Sequence, residues 1–248
     1  MKKNEKANAE AVIETDESLA NAIRRSINQI SVSAIDEVEI YKNDSALFDE
    51  IVAHRIGLIP IKINRKLNFK EECSCKGEGC NKCQIQVSLK AIGPCTVYSQ
   101  DIKGDVETPY EKMPIVILEK EQELELVGFV RIGIGKKHAK FSPGLAYYRN
   151  ITNIKIKNPE KADKIIEKIK DTIIGKSKIS AGETIQSKAD ADYIESIAGQ
   201  DSGIEVSPGK EIVFFIESWG QMSSKEIFEE AVKSLENSLS EASKAIKK

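Results

Sequence analysis

Four of the five cysteines in this 248-residue chain crowd into one short segment, Cys73, Cys75, Cys80 and Cys83, with Gly77 and Gly79 between the two pairs. Thiolates this close together can surround one tetrahedral metal ion, and the glycines let the backbone wrap it. Structural zinc, one ion per chain, is the reading these residue types favour. An iron–sulfur cluster and disulfides are the alternatives, the second disfavoured in a reducing compartment. Four sulfur ligands leave no open coordination position, so such an ion would staple the loop entering the next strand rather than catalyse. Cys95 stands apart and reads as a buried thiol with no ligand role.

Other groups capable of chemistry are sparse. Of the two histidines, His54 falls near the end of a predicted helix, where a cation suits the last carbonyls. His138 opens a distinctive loop, His138-Ala139-Lys140-Phe141-Ser142-Pro143-Gly144, around which no nucleophile and base can be paired. Asp190 and Asp192 lie in a polar stretch and read as solvated loop residues rather than metal ligands. Gly128, Gly133 and Gly135 lack the Gly-Lys-Ser/Thr ending of a phosphate loop. No catalytic or cofactor-binding residue is assigned.

Composition narrows the class further. The chain is 40% hydrophobic and 31% charged, which reads as soluble and globular, with room for one large domain or two small ones. Lys+Arg 37 against Asp+Glu 39 leaves a net charge of −2, which disfavours direct duplex binding as the main role. No apolar run approaches the roughly 20 residues that span a bilayer. Met1-Lys2-Lys3 is followed by polar residues with no signal-peptide core, so an intracellular, cytoplasmic location is expected.

The elements that must position these residues show in the periodicity. Thr15-Asp16-Glu17 can accept from the free N–H groups of a first helical turn, and Leu19, Ile23, Ile27 and Ile30 then recur at helical spacing. Glu37–Tyr41 alternates as a half-buried strand does. Asn43-Asp44-Ser45 is expected to cap a second helix with Leu47, Phe48, Ile51 and Val52 as its apolar face and Gly57 as a left-handed stop before Pro60. Strands are predicted at Gln84–Ala91, Thr96–Tyr98, Ile115–Leu118, Leu124–Ile132 and Ile151–Lys157. Asn158-Pro159 opens a helix with Ala162, Ile165, Ile166, Ile169 and Ile173 along one stripe. Gly175–Gly209 is polar and reads as a small satellite unit or mobile insertion, and Glu211–Ile216 as a buried strand.

The last helix is the best specified. Ser223-Ser224-Lys225-Glu226 is a capping box, and Met222 with Ile227 has the spacing of a hydrophobic staple. Phe228, Val232, Leu235, Leu239, Ala242 and Ile246 then form a heptad seam. Such a seam wants a second helix along its length, or folds onto its own domain; the pattern alone leaves both open.

The strings Asn21-Ala22-Ile23-Arg24-Arg25, Ala34-Ile35-Asp36-Glu37-Val38-Glu39, Ser45-Ala46-Leu47-Phe48-Asp49-Glu50 and His54-Arg55-Ile56-Gly57-Leu58-Ile59-Pro60 are ordered and continuous. Together with Ile216-Glu217-Ser218-Trp219-Gly220-Gln221, they resemble the alpha-type assembly subunits of multisubunit RNA polymerase. The likeness is strongest to the D-type member of the archaeal enzyme, in the family of the bacterial alpha subunit and the third-largest eukaryotic subunit.

The resemblance implies an α+β fold. A discontinuous dimerisation domain (residues 1–44, then 149–157 and 210–248) would be interrupted by a strand-rich insertion domain carrying the zinc loop (45–148). A small inserted subdomain would occupy 158–209. It implies a non-catalytic scaffold: Phe228, Val232, Leu235, Leu239 and Ile246 would pair with subunit L, and Arg24 and Arg25 would grip a larger subunit. The large catalytic subunits and small subunits N and P would then dock, the His138–Gly144 loop would contact a neighbour, and DNA would be met only through the assembled complex.

Two departures stand out. Some archaeal relatives carry iron–sulfur clusters where Asn158–Gly209 lies; this stretch has no cysteine, so no iron–sulfur cluster is expected. The strand that usually precedes Ala9–Ile13 is expected to be shortened or absent. The rival readings are a free-standing zinc module that binds nucleic acid and a metal-dependent hydrolase; neither accounts for the ordered match from Asn21 to Pro60.

Overall fold

A computed structural model describes residues 7–175, 180–199 and 203–247; any strand before Ala7 lies outside these. Strand β1 (Asn8–Glu14) leads into helix α1 (Glu17–Ser26), whose Leu19 N–H donates to Asp16 Oδ1 at 2.9 Å, the cap that the sequence predicts. A 3-10 turn, Ile27–Gln29, follows, and Ile23, Ile27 and Ile30 are buried while Leu19 is exposed. Strand β2 (Ser31–Asn43) is much longer than its alternating centre suggested.

Helix α2 (Asp49–Gly57) departs from expectation at both ends. Phe48 stands at the N-cap, while Asn43 Nδ2 folds the preceding turn by donating to Leu47 O at 2.9 Å and Asp49 Oδ1 at 2.7 Å. Gly57 stays helical, and Leu58 closes the helix in a right-handed conformation. The buried face is Val52 and Ile56; Phe48 lies outside the helix at its N-cap, and both it and Ile51 face solvent.

Next come β3 (Ile85–Ile92), β4 (Cys95–Tyr98), β5 (Lys103–Gly104), β6 (Pro114–Leu118), β7 (Glu123–Ile134) and β8 (Gly144–Ile156). Helix α3 (Pro159–Ile169) follows, capped by Asn158 Oδ1, which accepts from the N–H groups of Glu160 and Lys161. It stops short of Ile173, which lies instead in the two-residue β9 (Ile173–Ile174). Then come β10 (Thr184–Ser187), α4 (Ala191–Ala198), β11 (Ile204–Ser218) and α5 (Ser224–Ile246).

The strands form three sheets, in the orders β1-β11-β8-β10-β9, β2-β7-β3-β5 and β4-β6. The chain divides into two compact units. One takes in residues 25–145 and 217–247 with Ala7 and Asn8. Its core joins Ile35, Val52, Ile56, Leu89, Leu118, Leu124 and Val130. Cys95, expected to be buried, is exposed at the start of the short β4.

The other unit comprises Ala9–Arg24 and Ala146–Ile216. There the polar stretch after Gly175 is built into the sheet: β10 pairs antiparallel with β8, Ile185 opposite Ile154. Ile194 of α4 packs with Ile154, Ile169 and Ala189, and Asp190 caps that helix by accepting from Asp192 N–H.

One irregularity organises the four-stranded sheet. Along β2 and β7 the pairing slips between Ile35 and Glu37, so Asp36 is the extra residue of a β-bulge. A bulge re-aims side chains, and here Asp36 and Glu37 both reach the buried Arg131. Its guanidinium donates to Asp36 Oδ2 (3.1 Å), Glu37 Oε2 (2.8 Å) and Gln84 Oε1 (3.1 and 3.2 Å). Lys140 Nζ meets Asp36 from another side, 2.7 Å from Oδ1 and 3.0 Å from the carbonyl oxygen. Burial pushes the Asp36 carboxyl up, but the hydrogen bonds from Lys140 and Arg131 outweigh it and hold the group below its usual range.

Arg131→Ala should cost about 1–3 kcal/mol in urea unfolding, because it strips Asp36 of one of its two cationic partners and leaves the Gln84 side-chain oxygen without its donor. A depressed carboxyl stabilises the fold above its ordinary pKa and loses that contribution as pH falls through the folded value. The stability advantage of the native chain over Asp36→Asn at pH 7 should therefore fade below about pH 4. Urea midpoints across pH at constant ionic strength check both expectations.

Candidate functional site

The four-cysteine loop is built from tight backbone turns. It leaves the core after Leu67, is closed at its neck by Asn68 N–H donating to Lys82 O at 2.9 Å, and passes a 3-10 turn at Lys70–Glu72. Each pair is then curled by its own carbonyls: Cys73 O accepts from Lys76 N–H, Cys75 O from Glu78 N–H, and Cys80 O from the N–H groups of Cys83 and Gln84. Gly77 and Gly79 adopt φ of 87° and 93°, a left-handed conformation that glycine takes without strain.

These turns bring the sulfurs together. Cys73 and Cys80 Sγ are 3.6 Å apart, Cys75 and Cys83 Sγ 3.6 Å, Cys80 and Cys83 Sγ 4.0 Å, and all four lie within 4.8 Å of one another. A disulfide would need about 2.05 Å, so these are free thiols. Zinc–sulfur bonds of about 2.3 Å in a tetrahedron place sulfurs roughly 3.8 Å apart, which the set fits. The Gly79 N–H, first among several donors, draws the Cys75 thiol down to about 6, whereas burial pushes Cys83 up to about 11. The Cys80 N–H also points at Cys83 Sγ, 3.3 Å away, which favours a thiolate there once a cation compensates its burial. Among the described residues this is the one cluster of His, Cys, Asp and Glu arranged to hold a metal ion.

Gln84 links the loop to the sheet, since it follows Cys83 and accepts twice from Arg131. Sequence reading missed Gln84, Arg131 and Asp36 as a group; only Asp36 carried a signal, inside the Ala34–Glu39 string.

The predicted partner-facing residues sit as follows. On α5 the capping box closes, Ser223 N–H donating to Glu226 Oε2 at 2.7 Å and Glu226 N–H to Ser223 Oγ at 3.3 Å. The line buried against the chain's own fold is Ser224, Ile227 and Ala231, continued by Ser234 and Ser238, whose hydroxyls both donate to Gln29 Oε1 at 3.1 Å. The heptad seam runs beside that line: Phe228, Val232 and Leu235 are half-buried, Leu239 is 61% exposed and Ile246 86% exposed. On α1, Arg24 is tied to Asn21 Oδ1 and Arg25 is exposed.

His54 is exposed on α2, and His138 is exposed with its Nδ1 accepting from Lys140 N–H. The His138–Gly144 loop is fixed by Lys140 on Asp36, by the buried Phe141 ring packed where a Gly133 side chain would be, and by Pro143 O accepting from Trp219 N–H. No helix among the described residues is long and apolar enough to cross a membrane.

Comparison with known proteins agrees with this architecture. Residues 38–143 match the family model described as the RNA polymerase Rpb3/RpoA insert domain, a span that contains the cysteine loop, Arg131 and nearly all of the His138–Gly144 loop. The DNA-directed RNA polymerase subunit Rpo3 of Archaeoglobus fulgidus is 31% identical over 240 residues, covering 92% of this chain and 89% of that one. The same subunit of Thermococcus kodakarensis is 34% identical over 228 residues (89% and 86%), and that of Methanopyrus kandleri 31% over 249 residues (95% and 90%). The chain therefore belongs to the Rpo3 family, the non-catalytic archaeal D-type subunits of DNA-directed RNA polymerase.

Proposed function

We propose that the chain is the assembly scaffold of its polymerase, and that its first step is to pair through α5 with a smaller subunit of the L type. The observation that carries this is the split between the two long faces of α5. One is satisfied by Gln29 and the chain's own core, while Leu239 and Ile246 project into solvent. Burying a leucine is worth about 1.5–3 kcal/mol, so a seam left bare forfeits several such contributions. The pair would then receive the large catalytic subunits, with Arg24 and Arg25 on α1 as grips, and small subunits N and P. The strand-rich insertion, 45–148, would be held by one zinc ion on Cys73, Cys75, Cys80 and Cys83, which closes a loop and supplies no chemistry.

Co-expression with the L-type subunit should give a soluble one-to-one heterodimer. Leu235→Asp should abolish it, because an unpaired carboxylate in a closed seam costs far more than a lost contact. Size exclusion with light scattering measures the outcome. Wild-type affinity in the Leu235→Asp chain would remove α5 as the pairing element.

The metal is tested separately. Protein prepared under reducing conditions without chelator should contain one zinc per chain by elemental analysis and show no iron–sulfur absorption band. The double substitution Cys80→Ser, Cys83→Ser should remove the zinc and leave heterodimer formation intact. Iron with acid-labile sulfide would reassign the four thiolates.

A further inference from the structure

Gln84 stands where the cysteine loop re-enters the sheet, and it touches both. Its N–H donates to the carbonyl of Cys80 at 3.0 Å, so its backbone belongs to the turn that carries two of the sulfurs. Its side-chain amide lies directly over Gly79: a carbon added there would stand 2.7 Å from Gln84 Nε2 and 2.8 Å from Oε1. The Gly79 N–H is in turn the strongest of the donors to the Cys75 sulfur. Beyond the loop, Gln84 Oε1 accepts from Arg131 Nε at 3.2 Å and Nη2 at 3.1 Å. That guanidinium is buried, and its other bonds run to Asp36 and Glu37, so the amide it holds has a fixed anchor. Asp36 also carries Lys140 of the His138–Gly144 loop, at 2.7 Å. An unbroken series of contacts therefore leads from a candidate metal ligand to that loop.

We infer that Gln84 is a positioning residue for the metal site: it seats Gly79 against the Arg131 clamp, and so couples metal binding to the order of the His138–Gly144 loop. A sulfur that receives N–H bonds is favoured as the thiolate a metal needs. Gly79, at φ of 93°, has no side chain of its own to hold that N–H in place, and Gln84 supplies the hold from outside. Groups one step removed from a metal commonly orient its ligands, and losing one costs about ten- to a hundredfold in affinity. The effect runs both ways by linkage. A loop closed on metal keeps Gln84 Oε1 in front of Arg131. A loop without metal lets the amide drift, and the buried guanidinium, short of an acceptor, competes with Lys140 for Asp36. The Lys137–Glu71 pair joins the same two segments, but water screens it at both ends, so it is too weak to carry the coupling.

This inference rests on the metal reading of the four cysteines, and the experiment separates the two. Zinc affinity of the full chain is measured by competition with a chromophoric chelator. A native chain that takes up no zinc overturns both; zinc uptake leaves the metal reading standing whatever Gln84 does. Gln84→Leu, which keeps bulk over Gly79 but removes the acceptor for Arg131, should bind zinc about tenfold more weakly. Gln84→Glu, which keeps an acceptor, should restore the native affinity or exceed it. Hydrogen exchange of the native chain, with zinc and after chelation, needs no variant. The amides of Phe141 and Ser142, which donate to His138 O and Ala139 O, should exchange about tenfold faster without zinc, while those of α3 in the other unit stay unchanged. In Gln84→Leu that dependence on zinc should vanish. Undiminished zinc affinity in Gln84→Leu overturns the inference, as does a loss in Gln84→Glu equal to that in Gln84→Leu. Exchange at Phe141 and Ser142 that ignores zinc overturns it too, and this native comparison decides alone if Gln84→Leu fails to fold.

Discussion

A single buried guanidinium ties together segments that lie far apart in the chain. Arg131, near the end of β7, bonds the bulged pair Asp36 and Glu37 on β2 and Gln84 at the exit of the cysteine loop. Asp36 in turn holds Lys140, and with it the His138–Gly144 loop. A guanidinium suits this position because its planar fork serves several acceptors at once, which a lysine ammonium does not. The arrangement is also exacting, since an arginine taken out of water stabilises a fold only if all its donors find partners. The bulge supplies the second carboxylate: without the extra residue, Asp36 and Glu37 would point to opposite faces of the strand.

The cysteine loop depends on that clamp from one side and on its own sulfurs from the other. Its neck is held by Asn68 and Lys82 and its exit by Gln84, while the stretch between has few large apolar residues to bury. A metal ion held by the four converging sulfurs would replace a core there, as structural metals do in small loops. The Lys137–Glu71 pair, 2.8 Å apart but exposed at both ends, adds little by comparison. The loop and the His138–Gly144 segment therefore share one support, Asp36 with Arg131, although they serve different ends.

Much of this is legible from the residues alone. The helices α3 and α5 announce their starts because a cap is local: Asn158 with Pro159, and Ser223 with Glu226, need only neighbours within one turn. The four cysteines are legible for the same reason, their spacing being short enough that the glycines alone dictate convergence. The Arg131 clamp is not, because it depends on the register between β2 and β7, and a bulge leaves no mark in a single sequence. Phe48 and Ile51 mislead in the opposite way. Their spacing is helical, but the turn held by Asn43 starts the helix at Asp49 and leaves them outside it or on its wet side. Cys95 misleads because cysteines are usually buried, whereas this one stands at the exposed first position of β4, and Val97, Ile115 and Leu118 fill the buried side of that sheet. The polar composition of Gly175–Gly209 conceals β10 and α4, which need only Ile185, Ala189 and Ile194 to dock onto the apolar face that β8 and α3 already present.

The segment Ser218–Ser223 shows how much geometry a short string can set. Gly220 has φ of 101°, and a side chain there would strike the Pro109 ring 2.8 Å away, so no other residue fits without strain. Ser218 accepts from the Gly220 N–H and donates to Met222 O, closing the turn from within. Trp219 and Gln221, on either side of the glycine, are thereby aimed at a cavity that Leu58 and Leu145 also line and at Ser33 O, and the next residue but one begins the cap of α5. Each residue in the string satisfies a different geometric demand. Between them they set both a concave surface and the starting direction of α5, whose Leu239 and Ile246 face solvent. Such economy keeps both features in fixed relation in the free chain, and a surface that is already ordered loses less on binding than one that must be ordered at that moment.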